Sequence, residues 1–437
     1  MLQTAQLRSR LPDVVPVGSG LAVLGISAYA FLALAGHALA PREYAAVASL
    51  YLLIAVVGPG VFVAVEQETS RELSSRIATD RPTQPVVRSA AVIRAVLATA
   101  VIVMLLALSP LLVHRVFGGA WSLLVAALVA VVGAASVYVV RGLFSGQRRY
   151  GWYGTSLAAE GVVRLVGSVV VVWVGIAGTG SSTAAFGFTF ALGTLLATAA
   201  TVAGSRPGTA GPPLGPALDP PAGPPVDLRR MTRGVAFLAG ASALTLLLAN
   251  IAPVVLTSRL TDDPHTAASF VSLFVLARIP LFLFSPVQAF LLPSLTAAVE
   301  RGEAARVRRQ IRTVVAVAGA IGLFGIAGAA IAGPWAARVF FNAPFELPGV
   351  VAALLAVSTV VMMIAQILQS ALVALGDHRT AMSAWIAGTA VFGALLFAPT
   401  APLVAVVAAQ LAGPAAVVAI MARSIRASLA RRSWADA

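Results

Sequence analysis

Twelve apolar runs, most of them about twenty residues long, follow one another along this chain with short polar segments between them. They lie near residues 14–39, 44–65, 90–112, 121–140, 156–176, 184–202, 235–256, 270–292, 314–331, 350–375, 382–397 and 403–421. At 1.5 Å per residue such a run, wound as a helix, crosses the roughly 30 Å of hydrocarbon in a bilayer. Lipid offers backbone N–H and C=O groups no partner, so a spanning segment must close its own hydrogen bonds. The runs are continuous rather than alternating, which selects helices over a barrel. Composition agrees: 59% of residues are apolar and 11% charged, against about a quarter charged in soluble domains. The expectation is an all-α polytopic membrane protein with about twelve transmembrane helices.

The second half repeats the first, and the matches fall on polar landmarks and turns. Pro41 corresponds to Pro264, and Arg115-Val116-Phe117 to Arg338-Val339-Phe340, both 223 residues on. Gly58-Pro59 corresponds to Ser285-Pro286 at 227, and Gly146-Gln147-Arg148-Arg149 to Gly376-Asp377-His378-Arg379 at 230. Four landmarks in one order at nearly one offset read as a duplicated six-helix bundle, an architecture found among transporters.

Arginine placement orients the bundle. With the N-terminus inside, the cytoplasmic segments hold 23 of the 30 arginines, the spans three, and the outer loops four: Arg42, Arg115, Arg259 and Arg338. This is the positive-inside pattern, and it puts both termini in the cytoplasm of a plasma-membrane protein. With six spans each, the halves are parallel repeats about an axis along the membrane normal. The expected organisation is a lobe at 1–204, a linker at 205–230, a second lobe at 231–422 and a basic tail at 423–437. Eight prolines between 205 and 226 keep the linker extended. Arg8 and Arg10 precede an apolar run ending in Ala38-Leu39-Ala40, but the run is too long for a signal peptide and Pro41 would follow the cut. Outer loops of about 18 residues or fewer leave no room for an extracytoplasmic domain.

The chain contains no lysine and no cysteine. Without lysine it forms no Walker A phosphate loop and no Schiff base; without cysteine it forms no disulfide, thiol nucleophile or iron-sulfur cluster. His37, His114, His265 and His378 are scattered at span ends with no metal-ligand spacing, so neither a metal nor a cofactor is expected.

Charges within the spans are the candidate site. A charged residue at a span centre costs about 2.5–3.5 kcal/mol on insertion scales and so turns toward protein or a wet cavity. Glu160 and Arg164, spaced i,i+4, share one helix face about 6 and 12 Å from the cytoplasmic edge. Arg94 stands just inside the third span. Arg278 stands about 12 Å below the outer edge of the eighth, in Ala277-Arg278-Ile279-Pro280, with no acid at i±3 or i±4. One reading has these arginines line a cavity and meet an anion, because guanidinium matches phosphate oxygens in a bidentate fork. The other makes Glu160–Arg164 a self-neutralising structural pair and has Arg94 snorkel to the interface. For Arg278 the cavity reading is preferred.

Asn250 and Gln288 offer uncharged hydrogen-bonding groups, either to a sugar or to a neighbouring helix. Gly58-Pro59-Gly60, Pro253, Pro280 and Pro286 mark helices able to bend, as gates or as static kinks. Glu66, Glu68, Arg71 and Glu72 read as a solvated cytoplasmic turn. Segments 300–312 and 424–434 read as basic interfacial helices, either holding anionic headgroups or anchoring the topology.

A family resemblance appears at Ala40-Pro41-Arg42-Glu43-Tyr44, Gly58-Pro59-Gly60 and Glu66-Gln67-Glu68-Thr69-Ser70-Arg71-Glu72. It is strengthened by Arg141-Gly142-Leu143-Phe144-Ser145-Gly146-Gln147-Arg148-Arg149-Tyr150 and by Ala277-Arg278-Ile279-Pro280. Over nearly its whole length the chain resembles the polysaccharide-export branch of the multidrug/oligosaccharidyl-lipid/polysaccharide (MOP) flippase superfamily. The resemblance implies two six-helix lobes forming a V, alternating access, and a lipid-linked sugar diphosphate carried through a cationic cavity, with Arg278 as a headgroup contact.

One departure bears on energy coupling. Cation-coupled drug exporters of the superfamily carry an embedded acid, whereas the first span here offers Ser27 and Tyr29, with His37 at its end, and Glu160 is the clearly intramembrane carboxylate. The expected function is therefore a flippase moving a polyprenyl-diphosphate-linked oligosaccharide from the inner to the outer leaflet. Its partners would be that substrate, membrane lipids and polysaccharide-assembly enzymes, without nucleic acid. The alternatives are a cation-coupled drug antiporter and, in another class, a membrane glycosyltransferase or polymerase. Against the last, Glu43, Asp262, Asp263 and Glu346 sit in loops too short for an obvious catalytic site.

Overall fold

The structure is a computed structural model that describes residues 2–175, 182–205 and 228–431. Side chains are described over the same residues apart from 2–14, 228–231, 233–234, 237–238, 282–283, 285–290, 293 and 431. Of the proline-rich linker, residues 206–227 lie outside the description, as do 432–437 of the basic tail.

Among the described residues every element is helical. In order they are α1 (Leu2–Ala38), α2 (Pro41–Ala78), α3 (Gln84–Ala107), α4 (Ser109–Leu111), α5 (Trp121–Gly146), α6 (Tyr150–Val174), α7 (Thr183–Gly204) and α8 (Leu228–Asn250). They continue as α9 (Ala252–Arg259), α10 (Pro264–Ala277), α11 (Ile279–Glu300), α12 (Ala304–Phe341), α13 (Gly349–Ala374), α14 (His378–Leu396) and α15 (Pro402–Arg431). The short α4 passes into a π-type turn, Leu112–Val116. Among the described residues eleven helical stretches, one of them Pro264–Leu281 running from α10 across Arg278 into α11, are long and apolar enough to span a bilayer, and α8 with α9, bent by 54°, makes a twelfth if the pair is one span.

The chain divides into two compact units, Met1–Leu246 and Leu247–Ala437. Their internal packing follows the repeat. In the first unit α5 lies against α2, α3 and α7, and α6 lies against α7. In the second, α13 lies against α11, α12 and α15, and α14 lies against α15. The landmarks occupy matching places: Pro41 and Pro264 open α2 and α10, and Gly146-Gln147-Arg148-Arg149 and Gly376-Asp377-His378-Arg379 form the matching turns. Gly376 takes the left-handed backbone its turn needs, φ +76, and Arg148 takes the same conformation at φ 57 despite its side chain.

Two sequence expectations are corrected here. The acidic cluster after span two is not a solvated turn: α2 runs on to Ala78, and Glu66 and Glu68 are buried on it. Gly142 and Gly146, four apart on α5, let this extension pack closely; a Cβ on Gly142 would meet the Glu66 carbonyl oxygen at 2.8 Å. The basic segment 300–312 is not a separate interfacial helix, since a turn after Glu300 leads directly into α12 and Ala304–Arg312 are continuous with the span. Gly58-Pro59-Gly60 lie inside one continuous α2.

Candidate functional site

In the first unit the helices bring four charged side chains into one buried network. Glu160 on α6 is its centre. Arg164, one turn on, donates from Nη2 to Glu160 Oε1 at 2.7 Å, and Arg141 at the end of α5 donates from Nη2 to Oε2, also at 2.7 Å. Thr194 on α7 donates its hydroxyl to Oε1 at 3.1 Å. Arg141 also reaches the hydroxyl of Ser156 at 3.0 Å, and Arg164 lies over the Phe190 ring, 4.9 Å from its centroid. Glu66 completes the group by accepting a hydrogen bond from the Tyr153 hydroxyl at 2.7 Å. Glu160 thus offers one oxygen to each guanidinium, the pairing that buried ions need among apolar helices.

Sequence reasoning anticipated the Glu160–Arg164 contact and missed Arg141, placed just past a span end at 140. The available signal was the missing counterion: a lone i,i+4 pair satisfies one carboxylate oxygen well and leaves the other bare. Arg94 is separate. It is half-buried on α3 and donates to the Ser136 hydroxyl of α5 at 3.3 Å.

In the second unit the helix is broken where the first unit's is continuous. Arg278 is the junction, capping α10 and preceding α11, whose second residue is Pro280. Pro280 supplies no N–H, so the regular ladder lapses at Arg278, whose own backbone stays near the helical region. The Arg278 side chain is 7% exposed, lies over Phe274 at 4.6 Å from the ring centroid, and donates to the Thr359 hydroxyl of α13 at 3.3 Å. A ring face and a neutral hydroxyl are thus among the contacts of this guanidinium, whose residue caps the C-terminus of α10.

A second break separates Asn250 from Ala252, one residue before Pro253. Gln410, wholly buried on α15, donates its amide to the Leu248 carbonyl at 2.8 Å and satisfies an acceptor near the interrupted ladder. Sequence reasoning identified Asn250 and Pro253 but not Gln410. Pro286 and Gln288 lie on α11 among residues whose side chains are not described. Gly58 packs against Ala134, and Gly60 admits the backbone of Ala243 on α8. Among the described residues no group of His, Asp and Glu is placed to hold a metal ion.

Comparison with solved structures places this arrangement in a known fold. An inward-facing multidrug resistance MATE family transporter of the MOP superfamily superposes with a TM-score of 0.73 at 13% identity, covering 96% of this chain and 100% of that one. The fold is that of the MOP-superfamily transporters. An outward-facing MATE structure of the MOP superfamily matches at 0.66 and 15% identity, covering 96% of this chain and 95% of that one. A MOP-superfamily transporter from Pyrococcus furiosus, for which reversed polarity of the binding pocket suggests a different function, matches at 0.63 and 14%, covering 95% and 96%. No family model matches. Two uncharacterized proteins of Mycobacterium tuberculosis are 27% identical, one over 412 residues (92% of this chain, 89% of the relative) and one over 430 (96% and 92%). This multi-pass membrane protein therefore carries the MOP fold with buried arginines in both repeats.

Proposed function

We propose that this protein is a plasma-membrane flippase that moves a polyprenyl-diphosphate-linked oligosaccharide from the inner to the outer leaflet by alternating access. The observation that carries the reading is Arg278, a buried guanidinium set at a helix break and held by Phe274 and Thr359. A diphosphate offers such a cation stronger, bidentate hydrogen bonds than a hydroxyl does. The first repeat supports the same cargo. Glu160 is clamped by two arginines, so it is poorly placed to take up a cationic drug or a coupling ion. The arginine asymmetry supports cytoplasmic termini, and the breaks at Ile251 and Arg278 are places where helices can pivot. On this reading the protein transports rather than catalyses, and assembly enzymes supply the lipid-linked sugar inside and consume it outside.

A cation-coupled drug antiporter is the second reading, and it rests on the MATE structural matches and on Glu66. That carboxylate is buried, accepts from Tyr153, and forms no ion pair among the described residues. One experiment separates the two. In proteoliposomes containing a fluorescent lipid-linked oligosaccharide, the flippase reading expects leaflet exchange by the wild type. Arg278→Ala should lower that rate at least tenfold with normal membrane insertion. Absent exchange of lipid-linked sugars together with ion-driven drug efflux would select the antiporter, and undiminished exchange by Arg278→Ala would remove Arg278 from the route.

A further inference from the structure

The N-terminal end of α12 carries a basic collar that substrate transport through the helical bundle does not use. α12 is 38 residues long, about 57 Å by helical rise, roughly twice the hydrocarbon thickness. Its apolar part begins after Arg312 and faces outward: Phe324 and Ile331 are each 83% exposed. Twenty residues from Thr313 fill roughly 30 Å, which sets Arg312 at the hydrocarbon boundary and Arg309 and Arg308 about 4.5 and 6 Å beyond it, within the headgroup layer.

The collar also has a side. Ala304, Val307 and Ile311 are buried against the protein, whereas Arg308, Arg309 and Arg312 are exposed. Arg309 stands on the same helix face as exposed Ala316, Ala320 and Phe324, so its guanidinium rises from the stripe that meets lipid. Glu303 pairs with Arg301 at 2.9 Å and with Arg306 at 3.0 Å. Arg308, Arg309 and Arg312 form no ion pair among the described residues. The matching helix of the first repeat, α3, lacks the collar. At an offset of 224, Arg312 corresponds to exposed Arg88, but Arg308 and Arg309 fall on Gln84 and Pro85. Topology alone needs positive charge somewhere in the loop. It does not need three arginines without acidic partners, at headgroup depth, on the lipid side of one repeat.

We infer that Arg308, Arg309 and Arg312 form a binding site for the phosphate headgroup of an anionic phospholipid in the bilayer around α12. Guanidiniums at that depth meet lipid phosphates in bidentate pairs. The site lies on the outer surface of the second repeat and is independent of which molecule the protein transports.

The test uses the full chain in nanodiscs of phosphatidylcholine carrying spin-labelled phosphatidylglycerol or spin-labelled phosphatidylcholine, with the protein-restricted fraction of each read by electron paramagnetic resonance. Wild type should prefer phosphatidylglycerol, and raised salt should weaken that preference. The R308Q/R309Q/R312Q variant should lose the preference, since about fivefold per arginine near an anionic surface compounds to roughly a hundredfold over three. R115Q/R338Q, altered at the far end of α12 and at its counterpart in the first repeat, should keep it. Where the triple variant fails to insert, R309Q alone replaces it, with a loss of about fivefold. Equal preference in wild type and the collar variant overturns the site. Displacement of the labelled lipid by inorganic diphosphate at an ionic strength where sodium chloride leaves it bound also overturns it, assigning the arginines to a soluble anion.

Discussion

Glu160 is the residue on which most of the buried charge in the first repeat depends, because Arg141 and Arg164 each take one of its oxygens. Removing a shared counterion strands two desolvated guanidiniums, whereas removing one arginine still leaves the carboxylate a partner. Breaking a buried ion pair in this way costs about 3–5 kcal/mol. Glu160→Ala should therefore lower the unfolding temperature in detergent well below that of Arg164→Met, and wild-type stability in Glu160→Ala would show that the network is not structural. The Glu160–Arg164 contact was legible in the sequence because i,i+4 spacing alone places both groups on one face. Arg141 was not legible, because its contact depends on where α5 ends and how the turn at 147–149 aims α6. Glu66 was misread for a related reason: hydropathy marks where a helix leaves lipid, not whether it continues packed on a neighbour.

At the scale of elements, close packing and capping hold the repeats together. Gly154 on α6 sits against α1 so tightly that a Cβ there would collide with the Pro16 carbonyl oxygen. Backbone cannot yield as a flexible side chain can, so Gly154→Val should separate α1 from α6 and destabilise by about 1–3 kcal/mol or more. Unchanged thermal stability would show that the two helices do not depend on that approach. In the second repeat Asp377 caps α14 through the Thr380 amide at 3.2 Å and ties it to α15 by accepting from Ser424 at 2.9 Å. Burial pushes the Asp377 carboxyl up, but the hydrogen bonds from Thr380 and Ser424 and the nearby His378 outweigh it and hold the group below its usual range. A carboxyl lowered on folding stabilises above its unfolded pKa, about 3.9, and loses that contribution as the pH falls through the folded value. Asp377→Ala should cost about 1 kcal/mol at neutral pH, and the difference from wild type should vanish in strong acid. A gap that persists there would exclude this cap as its source. The span count was legible because lipid forces every crossing into a helix. The break at Arg278 was only partly so, because proline marks where a ladder can fail and its neighbours decide whether it does; Pro59 is carried inside an unbroken α2.

At the scale of the whole molecule, the duplication supplies two units of matching internal packing, and the departures from symmetry fall at Arg278 and at the collar of α12. Alternating access requires the two repeats to exchange openings on opposite faces of the membrane. The chain contains no cysteine, so labels can be introduced singly without removing any native residue. Arg81 and Ala305, 224 apart, are equivalent exposed positions where the two repeats enter α3 and α12, and Arg115 and Arg338, 223 apart, are equivalent exposed positions toward the opposite ends of those segments. Arg81→Cys with Ala305→Cys, and separately Arg115→Cys with Arg338→Cys, each carry one spin-label pair. Pulsed dipolar measurements in nanodiscs should find two distance populations for each pair. Adding a lipid-linked oligosaccharide should shift the pairs in opposite senses, because a state that opens inward closes outward. A ligand shifts such an equilibrium only by its differential affinity for the two states, so Arg278→Ala should leave both populations present and abolish the shift. One invariant distance at each face would refute alternating access for this protein, and a shift preserved in Arg278→Ala would place the headgroup contact elsewhere.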